Sequence, residues 1–375
     1  MIKAMKTVTL TVALLCGCLG LVAAAHPARA DVTVAVVAPL SGLDTGTAAY
    51  LQGVLLAVDT INADGGLLGQ KLRLVTADDG CDEQQAEAAA ERVLADHPQV
   101  VIGSFCSASS IRAAPLYAQA GVIQIAPNST NPRLTEMGIT TVFRMIGRDD
   151  RQGDAAVTLI ARQWPQRHIA IIDDGSVYGQ GLADIVRGGL AQRGIPVALT
   201  SGYAPNATNY DPIVHALKEQ GIDVLYASGY SMDIGLLIHE IAAAGLSIQV
   251  VGGDILNEHE LVDVAGVALE GLMFTYMPDT TDDAIAAPVL AAARQRGVTV
   301  ERRTLQSYAA IAVWSEAVKR AQSFETATVA AALRGPPIPS VIGPVSFDAK
   351  GDIIGPVAAW VWYRWHDGVA GLTLR

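Results

Sequence analysis

Hydroxyl side chains follow two consecutive apolar runs of the sequence, in a pattern suited to binding an anion. Ser107 to Ser110 come after Val100–Phe105 and stand at the predicted start of a helix, and Thr130 comes after Val122–Ala126 in a loop. Hydroxyls beside the unpaired N–H groups of a helix N-terminus form a natural site for a carboxylate. A helix cap and a simple turn are the competing interpretation. The shared position at the ends of neighbouring strands favours the anion site.

An acid and an aromatic residue follow later apolar runs, in a pattern suited to binding a cation. Asp254 comes after a strand-like run and a glycine pair, and Tyr230 follows Val224–Ser228. A carboxylate can act as counter-ion to an ammonium group, assisted by a tyrosine ring and its hydroxyl. The competing interpretation of Asp254 is a helix cap. If one half of the chain supplies anion donors and the other an acid, the gap between them suits a zwitterion. The pattern therefore predicts an α-amino acid as ligand.

Catalytic chemistry has little support in the residues present. Cys106 stands beside a serine-rich turn and could serve as the nucleophile of an amidase, but no histidine is near it in sequence and Cys81 offers it a disulfide partner. The histidines show no metal-ligand spacing, and Gly179–Gly181 lacks the third glycine of a dinucleotide fingerprint. We therefore predict a binding protein with no enzymatic activity, no metal and no cofactor.

The elements that must position these residues alternate between β-rich and helical segments. The predicted strands are Val32–Ala38, Leu72–Ala77, Val100–Phe105, Val122–Ala126, Thr141–Met145, Ile169–Asp173, Val224–Ser228, Gln249–Gly252 and Leu272–Tyr276. The predicted helices include Ala48–Ile61, Gln84–Ala95, Asp150–Gln163, Gly181–Gln192, Ile234–Ala243, Leu305–Ala321 and Thr326–Leu333. Near-continuous Val and Ile runs are typical of buried parallel strands, and their alternation with helices predicts doubly wound α/β sheets.

Two such sheets fit the order of the elements better than one. The first series runs from Val32 to about Ile146, the second begins near Asp150, and Gly147–Asp150 is the predicted crossing between them. In the tail, Pro344–Phe347 and Ala359–Trp365 are predicted to be two paired strands joined by a loop.

The first thirty residues have the composition of an export signal. Lys3 and Lys6 make a short basic start, Val8–Val22 carries no charge, and Ala28–Ala30 has the small residues that a signal peptidase recognises. The pattern predicts a secretory signal peptide over residues 1–30. Cleavage before Cys18, which would leave a lipid anchor on that cysteine, is the alternative.

The remainder of the chain is acidic and contains one pair of cysteines. The sequence has 26 basic residues, three of them in the first thirty positions, against 37 acidic residues, which leaves a net charge of −14. Such a surface repels nucleic acid and anionic lipid, so we exclude both as partners. Cys81 and Cys106 are an even pair in an exported protein, which predicts a disulfide between them.

Six segments of the sequence, taken in order, match the pattern of a known protein family. They are Val34–Gly42 (VAVVAPLSG), Asn62–Gly69 (NADGGLLG), Asp78–Asp82 (DDGCD), Val101–Ser109 (VIGSFCSAS), Tyr178–Ala183 (YGQGLA) and Gly343–Gly351 (GPVSFDAKG). Together they resemble the leucine/isoleucine/valine-binding proteins of bacterial ABC transporters. The resemblance implies the type I periplasmic binding protein fold, with two doubly wound α/β lobes joined by three hinge crossovers. It assigns residues 31–147 and 277–343 to lobe 1, and residues 148–276 and 344–375 to lobe 2.

The resemblance also implies roles for individual residues of lobe 1. In that family a disulfide links the cysteines that correspond to Cys81 and Cys106. The hydroxyls that correspond to Ser107 and Thr130 hold the carboxylate of the ligand, with the backbone at Asn128 beside them.

The remaining implied contacts surround the ammonium and the side chain of the ligand. Tyr230 and Asp254 fall where the family places a tyrosine and an acid around the ammonium, and Tyr178 approaches from lobe 2. Phe105 with Cys106 borders the side chain. The predicted ligand-binding residues are Phe105, Cys106, Ser107, Asn128, Thr130, Tyr178, Tyr230 and Asp254.

Four positions depart from the pattern of that family. Asp254 stands where close members have glutamate, and Asn128 replaces a small residue. The loop Ser41–Thr47 lacks the aromatic residue that usually walls the side-chain pocket, and Arg303 lies where an apolar ring is expected. These changes predict a pocket that is more polar or larger, while a branched aliphatic amino acid remains the leading prediction for the ligand.

The family further implies a partner and a location. We predict a periplasmic monomer that delivers its ligand to the membrane permease of an ABC transporter. A ligand-binding sensor component for an amino acid or another small polar metabolite is the alternative function.

Overall fold

Five parallel strands form the first of two sheets in the computed structural model, which describes residues 31–41, 45–258 and 260–374. The strands are β1 (Val32–Ala38), β2 (Leu72–Asp78), β3 (Val100–Gly103), β4 (Ile123–Ala126) and β5 (Val142–Arg144), in the order β2-β1-β3-β4-β5. All residues of β1, β3, β4 and β5 are buried, as expected for parallel strands covered on both faces. The predicted signal peptide and Cys18 lie outside the described residues.

Seven strands form the second sheet. The parallel strands are β6 (Ile169–Asp173), β7 (Val197–Gly202), β8 (Val224–Ser228), β9 (Gln249–Gly252) and β10 (Met273–Tyr276). Two strands near the C-terminus, β13 (Val361–His366) and β14 (Val369–Leu374), extend the sheet from β10 in antiparallel fashion. The order is β14-β13-β10-β9-β8-β6-β7. Two mostly parallel sheets in sequence confirm the predicted pair of α/β lobes.

Helices connect the parallel strands of each sheet, join the first sheet to the second, and follow the last parallel strand. They are α1 (Thr45–Ala63), α2 (Glu83–Leu94), α3 (Ser107–Gln119), α4 (Arg133–Glu136), α5 (Asp149–Gln163), α6 (Val177–Gln192), α7 (Asp211–Glu219), α8 (Ser231–Ala243), α9 (Glu260–Ala265), α10 (Ala287–Gln295), α11 (Arg302–Ala321) and α12 (Thr326–Leu333). Helix α11 packs along α1, so the chain returns to the first sheet after β10. Across the described residues, no helix combines the length and apolar character that crossing a bilayer requires.

The C-terminal segments pair differently from the prediction. Pro344–Phe347 was expected to pair with Ala359–Trp365, and this is wrong. Instead, β11 (Ser346–Phe347) pairs with β12 (Ile353–Ile354), and β13 pairs with β10 and β14. The physical reason is that a tight polar turn closes the short ribbon locally, whereas the open edge of the second sheet offers β13 a longer partner.

The chain passes between the two sheets three times. The crossings lie between β5 and α5, after β10, and between β12 and β13. The first coincides with the predicted crossing at Gly147–Asp150. Asp352, beside β12, pairs with Arg144 at the end of β5, so the ribbon lies against the first sheet. We therefore propose that the third crossing falls near Pro356–Ala358, while the other lobe limits given above stay predictions.

The predicted disulfide is confirmed, and two strands of the second sheet, β7 and β14, were not predicted. Cys81 and Cys106 are bonded, with Cα atoms 5.4 Å apart, and link the turn after β2 to the start of α3. Strand β7 lies at the sheet edge, and its residues alternate between half-buried and exposed. It therefore lacks the continuous apolar run that identified the other parallel strands.

Candidate functional site

The carboxyl ends of the two sheets face each other across a small inner cavity. Four lining residues follow β3 and β4 of the first sheet, and four follow β6, β8 and β9 of the second. They are Phe105, Ser107, Asn128, Thr130, Tyr178, Tyr230, Asp254 and Ile255. Seven of the predicted ligand-binding residues thus meet around one cavity. Its position matches the edge at which doubly wound sheets bind ligands.

One side of the inner cavity is built from the N-terminus of α3 and from the loop after β4. Cys106 is the N-cap residue of α3 and makes no side-chain cap, so the first N–H groups of the helix remain available to other partners. Ser107 and Thr130 are buried and line the cavity. Asn128 Oδ1 is buried with no hydrogen-bond partner among residues 31–41, 45–258 and 260–374. A helix N-terminus with adjacent hydroxyls favours a carboxylate here.

Ser110, in the same serine cluster, has a structural role. Its Oγ accepts a hydrogen bond from the Ser104 backbone N–H at 2.7 Å and lies 2.6 Å from Ser129 Oγ. These contacts tie the loop after β3 to the loop after β4. Ser109 is buried but does not line the inner cavity. Of the three helical positions Ser107, Ser109 and Ser110, only Ser107 lines the cavity.

Asp254 stands on the opposite side and is held in a fixed orientation. Its Oδ1 accepts hydrogen bonds from the Tyr178 hydroxyl at 2.9 Å and from Gln152 Nε2 at 3.0 Å. Gln152 Oε1 in turn accepts the Asp254 backbone N–H at 3.0 Å. A Cβ atom on Gly253 would lie 2.4 Å from Gln152 Oε1 and 2.7 Å from the Tyr178 hydroxyl, so glycine is needed for this close approach. No pattern in the sequence indicated the role of Gln152.

Tyr230 enters the cavity from the N-cap position of α8. Its backbone N–H donates to Asp174 Oδ2 at 3.0 Å, and Asp174 Oδ1 accepts the Ser176 N–H at 2.9 Å. Burial raises the pKa of Asp174, although these hydrogen bonds oppose the rise. The rings of Tyr230 and Tyr178 have centroids 5.7 Å apart and form one wall of the cavity. Asp174 therefore supports the wall without lining the cavity.

Asp149 is a buried acid beside the cavity that the sequence did not single out. It is fully buried, and no hydrogen bond of ordinary geometry reaches either carboxylate oxygen in the described part of the chain, although the Thr130 hydroxyl lies beside them. Burial and the charge of Asp254 raise its pKa well above the ordinary value, and Thr130 and Arg144 oppose this only in part. As the first residue of α5, it is indistinguishable in sequence from an ordinary acid in the first turn of a helix.

Phe105 and Ile255 form the apolar end of the inner cavity. Ile255 was not predicted, because nothing in the sequence distinguishes it from a core residue. Cys106 was predicted to border the ligand side chain, but it does not line the cavity. Arg303 and Glu258 form a buried ion pair beside this end.

The two lobes touch directly next to the site. Asn131, in the loop after β4, donates from Nδ2 to the carbonyl oxygen of Val177 at the start of α6, at 2.8 Å. A Cβ atom on Gly181 of the same helix would lie 2.6 Å from Asn131 Nδ2. The free volume of the inner cavity is about 20 Å³, little more than one water molecule requires. The lobes are therefore closed in this state, and a ligand larger than a water molecule would hold them farther apart.

One group of side chains in the described ranges has the composition of a metal site. Glu270, His366 and Asp367 place their ligand atoms within 4.8 Å of one another, and all three are exposed. The hydrogen bond that His366 donates to Glu270 raises the pKa of His366, as in a surface ion pair. Exposed acidic groups of this kind are common without a metal, and the group is not part of the inner cavity.

Comparison with known proteins assigns the chain to a family. A family model described as periplasmic binding protein matches residues 31–368. The Leu/Ile/Val-binding protein homolog 1 of Brucella abortus (strain 2308) is 36% identical over 346 residues, which are 92% of this chain and 93% of the relative. An amino acid binding protein of Pseudomonas aeruginosa is 35% identical over 344 residues, 91% of each chain.

Solved structures agree with the sequence matches. An ABC transporter substrate-binding protein from Desulfitobacterium hafniense in complex with Leu is 27% identical, with a TM-score of 0.75, and the match covers 92% of this chain and 100% of the other. A leucine-binding protein from Thermotoga maritima MSB8 is 23% identical, with a TM-score of 0.83 and coverage of 91% and 97%. The second match shows the shared fold.

Proposed function

Because this chain belongs to the periplasmic binding protein family, we propose that it captures an α-amino acid between its two lobes and delivers it to the permease of an ABC transporter. Members of the family are substrate-binding proteins of transporters and not enzymes. The observation that carries the proposal is the inner cavity itself. It has a helix N-terminus with two hydroxyls on one side and a fixed carboxylate on the other.

These two sides match the two charges of an α-amino acid. The carboxylate of the ligand accepts hydrogen bonds from Ser107, Thr130 and the N-terminus of α3, where the helix dipole favours negative charge. The ammonium group lies against Asp254, which Tyr178 and Gln152 hold in place. Charge-assisted hydrogen bonds of this kind are about twice as strong as neutral ones, and they gain strength where water is excluded.

Lobe closure couples these contacts to transport. The carboxylate contacts come from the first sheet and the ammonium contacts from the second, so only the closed form makes both. Differential contacts stabilise closure, as in other hinged binding proteins. The closed protein then docks on the permease, which is the partner that the family implies. Export to the periplasm, with removal of residues 1–30, belongs to the same proposal.

The names of the relatives make leucine, isoleucine and valine the first ligands to test. We expect one amino acid at a thousandfold excess over its Kd to stabilise the ligand-free protein by about 4 kcal/mol. The melting temperature should rise by about 5 °C, given the unfolding entropy of a chain this long. A thermal-shift screen of the twenty amino acids, after unfolding and refolding to remove bound ligand, measures this. The corresponding amino alcohols and N-acetyl amino acids are the controls, since each lacks one charge. A shift with a control but not with its parent amino acid would contradict the proposal.

Replacing Asp149 by asparagine should change stability and ligand affinity in opposite directions. We expect Asp149→Asn to raise the free energy of unfolding of the ligand-free protein at pH 7 by about 1 kcal/mol, because a buried unsatisfied charge is removed. We also expect amino-acid affinity to fall at least about tenfold, because Asp149 adds negative potential beside the ammonium site. Urea unfolding and calorimetric titration measure the two effects.

The effect of Asp149→Asn on stability should depend on pH. The folded-state pKa of Asp149 is raised, so the native protein loses stability as the pH rises from the ordinary Asp pKa of about 3.9 through the folded value. The stability gain of the variant should therefore shrink toward pH 4. Lower stability at pH 7 with unchanged affinity would instead make Asp149 a structural residue.

A further inference from the structure

A buried ion pair separates the apolar end of the inner cavity from a second, larger cavity. Arg303 and Glu258 are 2% and 4% exposed and form this pair. The guanidinium carbon lies 5.1 Å from the ring centroid of Phe105, which lines the inner cavity, and 5.6 Å from that of Tyr276. The outer cavity, of about 300 Å³, is lined by Arg303, Glu258 and Tyr276 among others. A ligand side chain that extends past Phe105 therefore meets this pair.

The residue facing the pair is a glycine, and the close contact requires it. A Cβ atom on Gly46, in the first turn of α1, would lie 2.5 Å from Glu258 Oε2. Any other residue at this position would push the carboxylate away from its present place. Gly46 belongs to the helix that covers the first sheet, while Glu258 follows β9 of the second. The pair therefore occupies the space between the closed lobes.

Arg303 retains a donor with no acceptor. Nη2 forms the ion pair with Glu258, and Nη1 has no ion-pair partner; both nitrogens are buried with no hydrogen bond of ordinary geometry in the part of the chain that the structure describes. Leaving a buried donor of a charged group unpaired is costly, so the arrangement favours a ligand that supplies an acceptor. A purely aliphatic side chain cannot do so. A site built to hydrogen-bond its substrate discriminates strongly against an analogue that lacks the bonding group.

The local charges favour a neutral acceptor over an anionic one. Three acids, Asp254, Asp149 and Glu258, already lie in or beside the inner cavity. Glu258 is the ion-pair partner of Arg303. A carboxylate on the ligand side chain would stand beside Glu258 as a like charge, whereas an amide carbonyl can accept from Arg303 without that repulsion. Resting on the proposed function, we infer that the Arg303–Glu258 pair selects an α-amino acid whose side chain ends in a neutral amide, as in glutamine or asparagine, over branched aliphatic ones.

The test compares ligand preference in the native protein and in one double variant. Calorimetric titration of ligand-free protein with L-glutamine, L-asparagine, L-leucine and L-glutamate gives the native order. In Arg303→Leu/Glu258→Leu the whole pair is removed, which avoids leaving one buried charge unpaired and keeps the fold. The neighbouring Arg302→Leu is the matched control, since Arg302 pairs with Asp279 and lines the outer cavity, as Arg303 does, but not the inner cavity. Melting temperatures of all variants show whether each protein is folded.

The expected result is at least tenfold tighter binding of glutamine or asparagine than of leucine or glutamate by the native protein and by Arg302→Leu. The double variant should change the amide-to-leucine affinity ratio by at least tenfold in favour of leucine. Native preference for leucine or glutamate overturns this inference but leaves the proposed function intact. If the folded double variant still prefers the amide amino acids, the Arg303–Glu258 pair does not determine ligand selectivity. Binding of no amino acid at all overturns the proposed function together with this inference.

Discussion

Replacing Asp254 by asparagine should abolish high-affinity binding while leaving the protein folded. The change removes the charge that faces the ligand ammonium, and truncating one member of a buried, hydrogen-bonded charge pair typically costs about 2–5 kcal/mol. Affinity should therefore fall at least about thirtyfold. The fold should survive, because the amide oxygen of an asparagine can still accept from Tyr178 and Gln152 as Oδ1 does now. Calorimetric titration with the amino acid that gives the largest thermal shift measures the loss.

The matched control for Asp254→Asn is Asp154→Asn. Asp154 lies on α5, the helix that carries Gln152, but it is exposed. The control should bind with native affinity, since screening by solvent leaves an exposed charge little influence on a buried site. Native affinity in Asp254→Asn, with Asp154→Asn also unchanged, would remove Asp254 from the ammonium site. A melting temperature lowered by more than a few degrees would show that its loss disturbs the fold.

Replacing Asp352 by asparagine should cause the largest loss of stability. Asp352 accepts from Arg144 Nε at 2.7 Å, from Arg148 Nη1 at 2.8 Å and from the Thr135 hydroxyl at 2.9 Å. Arg144 is fully buried, so the variant would remove the ion-pair partner of its charge. Breaking such a pair from one side costs about 3–5 kcal/mol. The melting temperature should fall by about 5 °C in a chain of this length.

The stability effect of Asp352 should have a defined pH dependence. Burial alone would raise the pKa of Asp352, but Arg144 and Arg148 lower it below its ordinary value. The group therefore stabilises the native state above the ordinary Asp pKa of about 3.9, and this stability is lost as the pH falls through the lower folded value. The difference between native protein and variant should be full at pH 7 and should shrink below pH 4.

The control for Asp352→Asn is Asp96→Asn, which breaks a surface pair. Asp96 and Arg73 are close to half exposed, and exposed pairs contribute at most about 1 kcal/mol. Scanning calorimetry at pH 7 compares the three proteins. Equal melting temperatures for both variants would show that the buried cluster adds nothing to stability beyond a surface pair.

Local pattern was sufficient for most of the parallel strands, for many of the helices and for the positions where a ligand would bind. Strand β1 was predicted at its observed limits because Val32–Ala38 is a short run rich in β-branched residues, and all seven residues are buried in the structure. Helices covering parallel strands bring the carboxyl ends of those strands to one edge, so Ser107, Thr130 and Asp254 could be placed together without coordinates. The tail was assigned wrongly, because pairing of β13 depends on the distant edge strand β10.

The amino-acid sequence by itself determined the two-lobed α/β plan, the Cys81–Cys106 disulfide and most residues around the inner cavity. Only the tertiary structure decided which buried polar groups form hydrogen bonds or ion pairs with one another. Arg144 meets Asp352 across 208 positions, Gln152 meets Asp254 across 102, and Arg303 meets Glu258 between lobes. The physical reason is that the hydrophobic periodicity of a sequence indicates only whether a residue is buried. Whether a buried charge then finds a partner, as Asp352 does, or stays unpaired, as Asp149 does, depends on how distant segments pack.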